Sequence, residues 1–102
     1  MTRKPVPIAC TLDGNAVAGR LDEWRALLGH VVSRTNAADE ALRLEFDGGT
    51  PTAELMRLVT AEQQCCAFFE FAITVDHRGL ALEVRAPADA GDLVTALFGS
   101  AA

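Results

Sequence analysis

Residues 71–86 read FAITVDHRGLALEVRA. Phe71–Asp76 and Leu80–Ala86 are two alternating runs, the period of a half-buried strand. The HRG between them suits a short hairpin, with Gly79 where a positive φ is needed. Two strands joined directly, after a helical stretch, set the β-β step that decides the fold class. Upstream, residues 51 to about 69 predict a helix, with Thr50 as N-cap and Pro51 at the first helical position. Ala41–Asp47 (ALRLEFD) sets Leu42, Leu44 and Phe46 against Arg43 and Glu45, again a half-buried strand. Arg34–Glu40 reads as a polar loop. Ala16–Ser33 carries Val17, Leu21, Trp24, Leu28 and Val31 at helical spacing, one buried stripe. Val6–Leu12 (VPIACTL) reads as a first strand with Ile8, Cys10 and Leu12 on one face. Downstream, Pro87–Gly99 predicts a last short helix that Gly99 can end. The order β-α-β-α-β-β-α implies an α+β two-layer sandwich, with helices on one face of a small four-stranded sheet.

The 102 residues fit a single domain spanning 1–102. Half are hydrophobic, enough for one core without staples. The net charge of -5 and the lack of a Lys/Arg run after the first residues exclude a direct nucleic-acid surface. No apolar run approaches the roughly 20 residues of a membrane span. The beginning of the chain lacks the apolar stretch of a secretory signal. The three cysteines cannot all pair within one chain. Cys65 and Cys66 are adjacent, and their Cα spacing of about 3.8 Å is short of the roughly 4.4–6.8 Å of ordinary disulfides. Free thiols in a reducing cytoplasm are the expectation.

Residues 61–71 read AEQQCCAFFEF. On the second helix Leu58, Val59, Cys66 and Phe69 fall within roughly 60° of Leu55, and Cys65 lies at the edge of that stripe. Glu62 also lies near its centre. A carboxylate in an apolar stripe is costly unless paired, hydrogen-bonded or protonated. Cys10 shares the inward face of the first strand, so Cys10, Cys66 and Cys65 are candidates to meet beneath the second helix. Thiolates are soft ligands that favour Zn(II), Cu(I) and related heavy metals, whereas hard ions need an oxygen cluster that is missing here. Cys10, Cys65, Cys66 and Glu62 are therefore the candidate metal ligands. Adjacent cysteines on a regular helix diverge by about 100°, so both reach one ion only where the helix loosens, which is expected near Phe69–Phe71.

Other readings stay open. Glu62 could act as a catalytic proton donor beside metal-bound thiolates, for organometal cleavage or thiol redox chemistry. It could instead pair with Arg20 or Arg43 while Cys66 fills space. A third reading is an interaction module, in which Phe68, pointing away from the stripe, covers a pocket or a partner. Trp24 reads as core. His30 on the first helix's polar face and His77 in the hairpin turn read as solvent-exposed. A homodimer that shares one ion between subunits is a further alternative.

The segments IACTL, EWRALL, AEQQCCAFFEFAITV and LEVRAPADAGDLVTALFG resemble a small bacterial family. Its members occur alone or appended to the C-terminal side of heavy-metal-responsive regulators of the mercury-regulator (MerR) type. The most specific match is A-E-Q-x-C-C-x-F-F-x-F, carried by Ala61, Glu62, Gln63, Cys65, Cys66, Phe68, Phe69 and Phe71. The resemblance covers nearly the whole chain, with Cys10 matching the early cysteine. It implies a link to heavy-metal response, with mercury or zinc the foremost ions, and a regulator of that type as a partner. The chain itself has neither the DNA-binding module nor the cysteine-rich tail of the fused relatives.

Overall fold

A computed structural model describes residues 14–65 and 68–101. Its elements run α1 (Gly14–Leu28), β1 (Val31–Asn36), β2 (Leu42–Phe46), α2 (Thr52–Cys65), β3 (Glu70–Asp76), β4 (Gly79–Arg85) and α3 (Gly91–Phe98), with short 3-10 turns at Ala38–Glu40 and Ala88–Ala90. The four strands form one antiparallel sheet in the order β1-β2-β4-β3. The α+β class and the four-stranded sheet agree with the sequence reading. The strand expected at Val6–Leu12 lies outside the described residues.

The hairpin follows the expected plan. β3 pairs β4 from Glu70↔Arg85 to Asp76↔Gly79. Gly79 takes φ 101, a region that L side chains avoid. Asp76 Oδ1 accepts a bond from the Arg78 backbone N–H at 2.8 Å, which closes the turn. Alternation then sends Leu42, Leu44 and Phe46 of β2, with Leu82 and Val84 of β4, toward the helices, where all five are buried. Arg43 and Glu83, paired across β2 and β4, take the opposite face, where Arg43 Nη1 donates to Glu83 Oε2 at 2.9 Å.

The helix expected over Ala16–Ser33 stops at Leu28, and β1 takes in Val31–Ser33 of that stretch and Arg34–Asn36 of the expected polar loop, whose remainder includes the 3-10 turn. Gly29 and His30 donate to the carbonyls of Ala26 and Leu27 at 3.3 and 3.0 Å, tight closures that end the helix. The β-branched pair Val31–Val32 then favours extended backbone. The ladder to β2 (Arg34↔Leu44, Asn36↔Leu42) supplies the hydrogen bonds that a polar run could not anticipate. An irregularity between Val31 and Ser33 blurs the period of two. At the second helix, Pro51 accepts the first intrahelical bond from Leu55, at 3.1 Å. Thr50 is therefore not the cap, and its hydroxyl donates back to the Asp47 carbonyl at 2.9 Å.

The helices close over the sheet through Trp24, Leu27, Leu55, Leu58, Val59 and Phe98, all buried, and Phe68 and Phe69 join them. Trp24 meets the Phe98 ring edge-on at 5.0 Å, and Phe69 meets Phe98 at 5.8 Å. Each such large side chain contributes roughly 1.5–3 kcal/mol by leaving water. Among the described residues no helix is long and apolar enough to cross a membrane.

Candidate functional site

The last turns of α2 carry the site. Leu55, Leu58 and Val59 turn into the core, and the same phase brings in Glu62, which is 3% exposed. Its carboxylate is not left unpaired. The Trp24 indole Nε1 donates to Oε2 at 3.0 Å, and Arg20 Nη1 donates to the same oxygen at 3.2 Å. Arg20 and Trp24 stand one turn apart on α1, so one helix face presents both donors. Burying a carboxylate is tolerable on these terms, since a charged and a neutral donor replace water. Oε1 makes no hydrogen bond among the described residues. Of the two arginines the sequence offers as partners, Arg20 takes the role, while Arg43 lies on the far side of the sheet with Glu83.

The cysteines relate to this clamp through the chain. Cys65 is the last residue of α2, three positions after Glu62. Cys66 and Cys10 lie outside the described residues. Phe68 is already in a turn and β3 starts at Glu70, so the helix expected to reach about Phe69 is over sooner. That early end moves Phe68 off the helical wheel. It does not point outward but is 6% exposed, with its ring 4.5 Å from that of Phe69. An interaction module that displays Phe68 in an apolar patch is therefore not what this packing offers.

Among the described residues no group of three or more His, Cys, Asp or Glu side chains converges as a metal site. His77 is exposed in the hairpin turn, as expected. His30 lies beyond the end of α1 rather than on its polar face, and its Nδ1 contacts Asp47 Oδ1 at 3.1 Å. That contact holds the Asp47 carboxyl below its usual range. Trp24 is core, but its role as a donor to Glu62 was not read from the sequence. The signal was present: a buried indole N–H needs an acceptor, and the apolar stripe contained one carboxylate.

No protein-family model, curated protein or solved structure matches the chain.

Proposed function

We propose that the chain is a cytoplasmic protein that binds a soft heavy-metal ion through the thiolates of Cys10, Cys65 and Cys66, for sensing, buffering or delivery in metal resistance. The metal is cargo, mercury or zinc foremost, and a regulator of the mercury-regulator type is the partner implied by the resemblance. The observation that carries the reading is where α2 ends. Two neighbouring cysteines inside a regular helix diverge by about 100°. Cys65 lies in the last described turn of α2, and Phe68, three residues on, is in a turn. A cysteine pair beside a helix end is the case in which both thiols can reach one ion, and that nearness supports the reading.

The Glu62 clamp supports the same reading. It ties the last turn of α2 to Arg20 and Trp24 of α1, a firm base for ligands at the helix end. Glu62 itself then serves as a positioning group through Oε2, with Oε1 left for an ion or a ligand proton.

The test is native mass spectrometry of the reduced full chain with Hg(II), Zn(II), Cu(I) and As(III), in competition with a small thiol. One ion per chain, weakened in Cys10→Ser and lost in the triple Cys→Ser variant, is the expected result. Equal binding by wild type and the triple variant would sink the proposal. Turnover of an organometal substrate, lost in Glu62→Gln with metal binding kept, would make the same residues catalytic.

A further inference from the structure

We propose that the groove between α1 and α3 binds a small amphipathic carboxylate, its carboxylate on Arg34 and its apolar body along Leu21, Leu28 and Leu97. The groove is a cavity of about 410 Å³ lined by these residues with Arg25 and Thr95. That volume lies in the range of small-molecule sites.

Arg34 is held in place for this task. It stands on the helix-facing side of β1, opposite Leu44. Its Nε donates to the Phe98 carbonyl at 2.7 Å. Gly99 packs so closely that a Cβ there would fall 2.6 Å from Arg34 Nε. Both terminal nitrogens of the guanidinium make no hydrogen bond or ion pair among the described residues. A guanidinium fixed at Nε, with its terminal nitrogens unused, presents donors suited to a carboxylate.

Charge favours an anion at this place although the chain is acidic. The protein carries 14 Asp and Glu against 9 Lys and Arg, yet the cavity is lined by Arg25 and Arg34 and by no described carboxylate. Arg25 contacts Asp22 at 3.4 Å, but both side chains are more than three-quarters exposed, and such pairs are weak enough to yield to a ligand. The C-terminal ends of α1 and α3 also face the groove, each with about half a negative charge. Part of that charge is engaged: the carbonyls of Ala26 and Leu27 accept from Gly29 and His30, that of Thr95 from Gly99, and that of Phe98 from Arg34. The three leucines then favour an anion with a hydrocarbon body over a bare inorganic one.

The test uses the full chain and sodium octanoate as probe, with 1-octanol and inorganic phosphate as comparisons. Calorimetry gives affinity, and amide NMR gives location. We expect saturable octanoate binding with shifts clustered at Gly29, Arg34, Leu97 and Gly99, and 1-octanol at least about tenfold weaker. Arg34→Gln should weaken octanoate about tenfold to a hundredfold, and Arg25→Gln less. Equal binding of octanol, phosphate binding as tight as octanoate, shifts elsewhere, or a folded Arg34→Gln that binds unchanged each overturns the proposal. Because Arg34 also caps α3, that variant could fail to fold. The octanoate–octanol comparison on wild type and the exposed Arg25→Gln variant then decide.

Discussion

Trp24 and Glu62, 38 residues apart in the chain, are joined by a hydrogen bond of 3.0 Å from the indole Nε1 to the carboxylate Oε2. With Arg20 on the same oxygen, this contact ties α1 to the end of α2 that carries Cys65. Removing Arg20 leaves a buried carboxylate with one donor. Losing a partner from a fully buried pair costs about 3–5 kcal/mol, and the Arg20 side chain is 18% exposed, so Arg20→Met should cost less, about 2–3 kcal/mol. Trp24→Phe keeps the ring and deletes the donor, for about 1–2 kcal/mol. Urea denaturation of both variants, and of Glu62→Gln alone and combined with Arg20→Met, checks this. The double variant should be closer to wild type than the two single losses summed, and strict additivity would count against the clamp.

Gly99 takes φ 86 and leaves no room for a Cβ against Arg34, with 2.6 Å to Nε. Gly99→Ala should therefore destabilise by about 1–3 kcal/mol, from backbone strain and overpacking together. Thermal melts give the measure. In an Arg34→Ala background the overpacking share disappears and the penalty should shrink toward the strain alone.

Glu40 is a left-handed residue, φ 63, in the turn between β1 and β2. Such a conformation costs an L side chain about 1–2 kcal/mol, and glycine adopts it freely at some expense in unfolded-chain entropy. Glu40→Gly should stabilise the protein by about 0.5–1 kcal/mol in urea titration. A loss of stability would mean that the Glu40 side chain makes a contact worth more than the strain.

Asp76 is the acid of the hairpin turn. Hydrogen bonds from the Arg78 side chain and backbone hold its carboxyl down from 3.8 to about 2. A depressed carboxyl contributes stability that is fully present above its unfolded value and fades as pH falls from about 3.8 through about 2. Carboxyl-carbon NMR should place its titration near the lower value. Arg78→Ala should return it toward the upper one.

A metal that binds only the folded chain raises its stability by mass action, about 2.7 kcal/mol at a hundred times the dissociation constant. Zn(II) or Hg(II) added to the reduced protein should raise the melting temperature in wild type and leave the triple Cys→Ser variant unmoved. An equal response in both would assign the effect to sites other than the thiols.

The sequence by itself determined what is local. The hairpin at Asp76–Gly79, the strand Leu42–Phe46, the stripe Leu55–Leu58–Val59–Glu62 and the buried Trp24 each show within a few turns or one strand, because periodicity reports which way neighbouring side chains face. The adjacency of Cys65 and Cys66 was legible for the same reason, and so was the anomaly of Glu62. Tertiary structure alone decided what depends on a distant partner. Val31–Asn36 turns polar after its two valines and is irregular, and it becomes a strand because Leu42–Phe46 lies beside it. Glu62 took Arg20 and not Arg43, because Arg43 faces the other side of the sheet. Phe68 turned inward because α2 stopped before it. In each case the deciding energy is a hydrogen-bond ladder, an ion pair or a buried ring contact with distant partners, and no window of sequence contains both halves of it.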